Sequence, residues 1–178
     1  RDAMDKYSAY IPHIAEGIDT EANNEFTCVS STQKGGHDLI MPTSSFIHCV
    51  GCDPEDIGLM ASGQTSLIWS PRSNIDLYGH TAQTPIFHRM GVNVSLGTDW
   101  TASGSMNMLR ELDCAIFLNE NYYNRYFTDK QLFDTATTNA ARACGVAQRT
   151  GSLKKDLWAD ISIYNCNNNC SYGEAIRT

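Results

Sequence analysis

The feature of this sequence that most constrains its fold is a fourfold alternation of short apolar segments with longer helical ones. Each apolar segment is short enough to be a β-strand buried on both faces. The four segments cover residues 7–14, 45–50, 65–69 and 92–96. The helical segments cover residues 20–30, 53–62, 81–90, 105–119 and 128–145. This alternation predicts an α/β fold built around a parallel sheet.

Local signals mark where several helices begin and end. Asp53 is a suitable N-cap, and Pro54 follows it at the first helical position. The sequence Thr128-Asp-Lys-Gln131 matches a capping box that opens the last long helix. After the third strand, Ser70-Pro71 indicates a turn, and Arg72-Ser73-Asn74 then reads as polar loop.

We expect one α/β unit over residues 1–150 and a short β appendage over residues 151–178. The appendage begins at a turn, Gly151-Ser-Leu, and a final strand is predicted at residues 161–164. The chain has 178 residues, whereas a complete (β/α)₈ barrel needs roughly 250. A whole barrel is therefore excluded for this chain alone.

The charge balance limits the classes of partner. The formal net charge is −7, and an acidic surface repels both phosphate backbones and anionic lipids. No apolar run approaches the roughly 20 residues of a membrane-spanning helix. We therefore expect a small-molecule substrate, no nucleic-acid or membrane partner and a cytoplasmic location, and we leave a homo-oligomer open.

The seven cysteines are expected to be reduced thiols. Most of them lie in apolar runs that predict burial, as at Cys28, Cys49, Cys114 and Cys144. Cys166 and Cys170 flank three asparagines and could form a disulfide loop or a metal clip. Because no second cysteine pair lies nearby, we interpret this segment as a polar loop.

Ionisable residues follow three of the four predicted strands. His13 and Glu16 end the first strand, His48 lies in the second, and Asp99 follows the fourth. Taken singly, each could be a hydrogen-bonded rim residue or a helix cap. Together they would meet at one edge of a parallel sheet, where (β/α)₈ enzymes place their chemistry. Two imidazoles and two carboxylates there suit a divalent metal that activates a water molecule.

Four motifs in this order resemble the last four strands of the amidohydrolase superfamily. They are His13-Ile-Ala-Glu16, Ile47-His48-Cys49, Ser70-Pro-Arg-Ser-Asn74 and Leu96-Gly-Thr-Asp99. The resemblance is greatest to the branch of guanine deaminase, the triazine hydrolases and imidazolonepropionase. It implies strands five to eight of a (β/α)₈ barrel, with residues 159–163 and 172–176 returning into a small β-sandwich.

The resemblance also implies a role for each site residue. His13 and Asp99 would be ligands of one divalent metal, most often zinc and sometimes iron. Glu16 would carry a proton to the leaving nitrogen, His48 would orient the water or polarise the substrate, and Asp99 would take the water's proton. Three further residues would shape the substrate pocket: Arg72, Asn74 and Trp100.

One part of the family pattern is missing from this sequence. The family draws a His-x-His pair from its first strand, and no two of the five histidines here are two positions apart. We therefore expect a truncated chain that binds metal weakly and is inactive alone. For the parent protein, deamination of a heterocycle, ring-amide opening and dipeptide hydrolysis all remain open. A non-catalytic remnant of the same fold is the alternative from another class.

Overall fold

Four parallel strands form one sheet in the computed structural model, which describes residues 8–164 and 171–176. The strands neighbour one another in chain order: β1 (His13–Ile14), β2 (Ser45–His48), β3 (Ser66–Trp69) and β4 (Val94–Leu96). One row of paired residues runs across all four strands, from His13 through Ile47 and Ile68 to Ser95. The carboxyl ends of the strands therefore lie along a single edge of the sheet.

The helices follow the strands as in successive βα units. They are α1 (Thr20–Ser30), α2 (Pro54–Ser62), α3 (Pro71–Tyr78), α4 (Thr84–Arg89), α5 (Met108–Asn121), α6 (Asp129–Thr135), α7 (Thr138–Ala143) and α8 (Tyr172–Ala175). Helix α2 begins with the expected cap, because Asp53 accepts a hydrogen bond from the backbone of Asp56 while the Asp56 carboxylate accepts one in return. The capping box of Thr128 and Gln131 likewise opens α6.

Large apolar side chains fill the space between the sheet and the helices. Phe26, Phe46, Trp69 and Phe87 are at most 1% exposed and belong to one continuous core. Burial of each such side chain contributes roughly 1.5–3 kcal/mol. The core therefore makes the sheet a rigid base for the loops at its carboxyl edge.

The four predicted strands and their parallel arrangement are confirmed, with shorter bounds. The first strand begins at His13, and Tyr10 makes only an isolated parallel bridge with Ser44. Pro12 precedes the strand and has no N–H to give to a ladder, which accounts for the late start. Tyr7, the predicted first residue of that strand, lies outside the described residues.

Two helical predictions need correction. The polar loop predicted after the third strand is helix α3, which has Pro71 in its first turn and ends at Gly79 with a left-handed φ of 64°. Both residues are typical of helix ends, so the sequence already indicated this helix. The helix predicted over residues 128–145 is two helices, because Thr137 has the non-helical angles φ −127° and ψ −93°.

The predicted strands of the C-terminal segment are wrong where the structure describes them. Residues 161–164 pair with no strand among the residues that the structure describes, and Ile163 is 94% exposed. The segment expected as the next strand, at residues 172–176, is helix α8, which Ser171 and Glu174 open with a capping box. The loop predicted at Cys166 and Cys170 lies outside the described residues, and the division at residue 150 stays a prediction.

The predicted burial of the thiols is confirmed only in part. Cys49 is buried and Cys114 half-buried, whereas Cys28 and Cys144 are exposed on helix surfaces or ends, and all four are free thiols. Apolar neighbours in sequence do not bury a cysteine that lies on the outer face of its helix. Within residues 8–164 and 171–176, no helix is both long enough and apolar enough to cross a membrane.

Candidate metal and catalytic centre

Strand β1 places His13 and Glu16 at the carboxyl edge of the sheet. Ala15, between them, has a left-handed φ of 52°, and Glu16 Oε2 lies 3.1 Å from His13 Nδ1. The His13 side chain is 55% exposed and that of Glu16 26% exposed. Both side chains are therefore reachable from solvent.

The predicted site is a cluster of four residues, His13, Glu16, His48 and Asp99, and His48 lies at its centre. It is the last residue of β2, and its side chain is fully buried. Its Nε2 lies 3.3 Å from His13 Nδ1, 3.4 Å from Glu16 Oε2 and 3.9 Å from Asp99 Oδ2. One imidazole nitrogen thus faces all three other residues of the predicted site.

Asp99 reaches the cluster from the loop that follows β4. The backbone N–H of Ser105 donates to the carbonyl of Thr98, and that of Gly104 donates to the carbonyl of Trp100, so the loop is tied back on itself. A Cβ at position 104 would lie 2.1 Å from the Thr98 oxygen, so only glycine allows this close approach. The loop holds the Asp99 side chain in place at 12% exposure.

Four residues at this edge of the sheet have a left-handed backbone conformation. Ala15, His48, Cys49 and Asp99 all have φ between 47° and 75°, the left-handed region that costs most residues energy. Each such residue costs of the order of 1–3 kcal/mol and persists where its surroundings enforce it. The strained positions include two residues of the cluster and the neighbour of a third, as is common at functional sites.

Burial and the carboxylates act on His48 in opposite directions. Burial lowers the pKa of His48 below 6.5, while the charges of Glu16 and Asp99 raise it and that of His13 lowers it further; burial is the largest effect. The net direction is downward, which favours a neutral imidazole near pH 7. A neutral ring is the form that can accept at one nitrogen while it donates from the other.

Helix α3 contributes two contacts that the sequence did not reveal. Asn74 is fully buried, and its amide nitrogen lies 2.9 Å from His48 Nδ1. The hydroxyl of Tyr78 donates to Glu16 Oε1 at 3.1 Å. Asn74 was predicted to shape the substrate pocket, whereas Tyr78 was not predicted at all, because no motif distinguishes it from a surface tyrosine.

The other two predicted pocket residues lie apart from the cluster contacts. The guanidinium of Arg72 donates to Ser105 Oγ and to the carbonyl of Arg110, and the residue lines a groove of about 700 Å³ between α3 and α5. Trp100 follows Asp99 directly and is 71% exposed. Their roles in substrate binding stay predictions.

The cluster fits a single metal ion. His13, His48 and Asp99 each present one ligand atom, and these atoms all lie within 4.8 Å of one another. Imidazole nitrogen and carboxylate oxygen are the donor types that zinc takes in catalytic sites. The predicted ligands, His13 and Asp99, are two of these three residues.

Comparison with known sequences identifies the family. Residues 13–173 match the profile of the Amidohydrolase family, and this range includes the whole cluster. The chain belongs to the amidohydrolase family. A protein named 5-methylthioadenosine/S-adenosylhomocysteine deaminase from Clostridium tetani is 34% identical over 123 residues, which are 67% of this chain and 29% of the relative. Its namesake from Caldicellulosiruptor saccharolyticus is 36% identical over 165 residues, or 87% of this chain and 37% of the relative.

Two solved structures show the same fold. A mutant of atrazine chlorohydrolase from Arthrobacter aurescens TC1, complexed with zinc and atraton, matches with a TM-score of 0.81 at 16% identity, over 99% of this chain and 41% of that one. Guanine deaminase from E. coli matches with a TM-score of 0.70 at 20% identity, over 89% and 38%. The match of residues 13–173 confirms the predicted resemblance to the amidohydrolase family. The chain spans about a third of the length of the curated relatives.

Proposed function

We propose that the whole protein carrying this chain is a metal-dependent deaminase that hydrolyses the exocyclic C–N bond of an adenine-type nucleoside. The observation that carries this proposal is the convergence of His13, His48 and Asp99 within 4.8 Å, with Glu16 beside two of them. The identity of 34% and 36% with two deaminases of adenine nucleosides supports the substrate class. The small-molecule substrate and the absence of nucleic-acid partners are part of the same proposal.

His13 and Asp99 would hold the metal, zinc being the first choice. When bound, a zinc ion lowers the pKa of a coordinated water to about 7 and so supplies a nucleophile at neutral pH. The chain would supply strands five to eight of a (β/α)₈ barrel, and the remaining ligands would come from outside these 178 residues. The Asp99 side chain is 12% exposed, which suits a carboxylate that binds a cation.

Proton transfers fall to the two carboxylates of the cluster. Asp99 would accept a proton from the attacking water, and Glu16 would deliver a proton to the amine that leaves. Glu16 is placed for this role because one oxygen faces His13 and His48 and the other accepts the Tyr78 hydrogen bond. A positioned general acid or base contributes about 10²–10⁴-fold to a rate.

His48 would donate a hydrogen bond from Nε2 to the attacking water or to the ring nitrogen of the substrate. Its burial and its three neighbours leave this nitrogen directed at the place where the reacting atoms would meet. Trp100 would lie against the base, since the residue follows Asp99 directly and its exposed indole offers a face for stacking. No observation favours a scaffold without catalysis.

The test is a deamination assay on the whole protein with 5′-methylthioadenosine and S-adenosylhomocysteine. We expect release of ammonia that needs a divalent metal and is lost in the Glu16→Gln variant. His13→Asn should also abolish activity, while His37→Asn, a matched change of an exposed histidine outside the cluster, should leave it intact. Absence of ammonia release with metal present would contradict the substrate class. Retention of activity in Glu16→Gln would contradict the residue roles.

A further inference from the structure

A chain of hydrogen bonds runs behind His48 through the protein interior. The indole N–H of Trp69 donates to Thr81 Oγ1 at 2.7 Å, and Thr81 Oγ1 donates to Asn74 Oδ1 at 3.1 Å. The Asn74 amide nitrogen then lies 2.9 Å from His48 Nδ1. None of the four residues is more than 5% exposed, so water does not compete for these contacts.

The direction of each bond follows from the first donor. An indole nitrogen can only donate, so the Thr81 oxygen accepts from Trp69 and is free to donate its own hydrogen to Asn74. That bond places the Asn74 carbonyl toward Thr81 and its NH₂ toward His48. An amide nitrogen has no lone pair to offer, so it donates, and His48 Nδ1 is the acceptor.

The opposite orientation of the Asn74 amide would leave one buried hydrogen-bond donor without an acceptor. With the amide turned over, its NH₂ would face Thr81, whose oxygen would then accept from both Trp69 and Asn74. The Thr81 hydroxyl hydrogen would be left inside the core, because Trp69 and Asn74 are the hydrogen-bonding partners it has among the described residues. A buried donor without an acceptor costs about 1–3 kcal/mol.

We propose that Asn74, anchored by Thr81 and Trp69, is a positioning residue that keeps the ring proton of neutral His48 on Nε2. With Nδ1 accepting, the proton of the ring must be on the other nitrogen. That nitrogen faces Glu16 Oε2 at 3.4 Å and Asp99 Oδ2 at 3.9 Å. This chain of hydrogen bonds therefore makes His48 a donor toward the cluster.

This arrangement separates His48 from an ordinary metal ligand. A ligating histidine binds through a nitrogen lone pair and gives its other N–H to a carboxylate or carbonyl oxygen. Behind His48 the partner is an amide NH₂, which offers a hydrogen and accepts none. His48 would thus be a hydrogen-bond donor of the site although it lies within 4.8 Å of His13 and Asp99. Its catalytic meaning rests on the proposed deaminase function.

The tautomer can be read directly by ¹⁵N NMR of the chain labelled at histidine. At about pH 8, above the ordinary histidine pKa of about 6.5, the His48 nitrogens should show a protonated Nε2 and an unprotonated Nδ1. Asn74→Asp should reverse the pattern, since a carboxylate accepts from Nδ1–H. Thr81→Val removes the hydroxyl and should disturb the wild-type pattern, whereas Thr81→Ser keeps the hydroxyl and should retain that pattern. Asn119→Ala, a buried asparagine that bonds Phe127 instead, is the matched control and should leave the pattern unchanged.

Kinetics on the whole protein complete the test. Asn74→Asp should lower kcat by about 10²-fold or more, because a histidine in the wrong tautomer cannot donate its hydrogen bond from Nε2. Asn119→Ala should leave kcat unchanged. A wild-type spectrum with the proton on Nδ1, or one that Asn74→Asp does not change, would overturn the proposal that Asn74 keeps the ring proton of His48 on Nε2. Lack of deaminase activity with the expected spectrum would overturn the proposed function alone, because the spectrum does not depend on turnover.

Discussion

Asn74 and Tyr78 lie four residues apart on α3 and hold two different residues of the cluster. Asn74 contacts His48 Nδ1 at 2.9 Å, and the Tyr78 hydroxyl donates to Glu16 Oε1 at 3.1 Å. Residues four apart share one face of a helix, so a single helical face positions both side chains. The helix after the third strand thus supports the site even though its strand delivers no ionisable residue of its own.

The first prediction concerns the Tyr78 hydroxyl. Removing it in Tyr78→Phe frees one oxygen of Glu16, and a hydrogen bond to a charged group is worth about 1.5–3 kcal/mol, or about tenfold in rate or more. We therefore expect kcat of the whole protein to fall by about tenfold, and the free energy of unfolding to fall by no more than this one hydrogen bond is worth. Steady-state kinetics and urea unfolding measure the two effects. Tyr122→Phe, an exposed tyrosine at the end of α5, is the control, and equal kinetics for both variants would exclude the positioning role.

The second prediction is that this chain alone binds zinc weakly. A catalytic zinc site keeps about three protein ligands, and only His13 and Asp99 are expected to ligate here, since the Asn74 contact leaves His48 with its proton on Nε2. Isothermal titration with zinc should show at most weak binding, and His13→Ala should change it little. Tight one-to-one binding that His13→Ala abolishes would contradict this prediction, because it would require more ligands in the chain than His13 and Asp99.

The third prediction concerns the pH dependence of stability at Glu111. This residue is fully buried in α5 and accepts a hydrogen bond from the backbone N–H of Arg72. Burial raises its pKa above 4.5, more than the neighbouring Ser105 and Arg72 lower it, and Asp99 raises it further. Above about pH 4.5 the folded chain thus holds more protons at this site than the unfolded chain, so this contribution to stability is lost as the pH rises through the raised pKa.

Glu111→Gln removes that dependence, because glutamine does not titrate and its oxygen can still accept from Arg72. The unfolding free energy of the variant, relative to wild type, should increase from about pH 4.5 toward neutrality. Urea unfolding over this range measures the difference. A constant difference between wild type and Glu111→Gln would mean that Glu111 does not titrate in this range.

The sheet and the meeting of the cluster residues were predictable for one physical reason. Short apolar runs with helical segments between them indicate parallel strands, and parallel strands present their carboxyl ends at one edge. His13, His48 and Asp99 were placed together by that rule, and the structure brings them within 4.8 Å. Their individual functions do not follow from the clustering and stay proposals.

The contacts behind the site were not predictable from sequence patterns. Asn74 was read as part of a loop because three polar residues follow Pro71, although Gly79 marks the end of a helix. Its bond to His48 joins residues 26 positions apart, and a polar side chain has no periodicity that reveals such a partner. The helix at residues 172–175 was missed for another reason, since the strand predicted there came from the family resemblance, whereas Ser171 and Glu174 form the capping box of a helix.

The most direct test of the proposed centre is Asp99→Asn in the whole protein. Asn tolerates the left-handed φ of 56° found at this position, so the backbone of the loop should be kept while the charge and most of the basicity are lost. If Asp99 holds the metal and accepts the proton, kcat should fall by about 10²–10⁴-fold and the bound zinc should decrease, with unfolding unchanged. Near-normal kcat with full metal content would contradict the account, because it would leave Asp99 only a structural part in its loop.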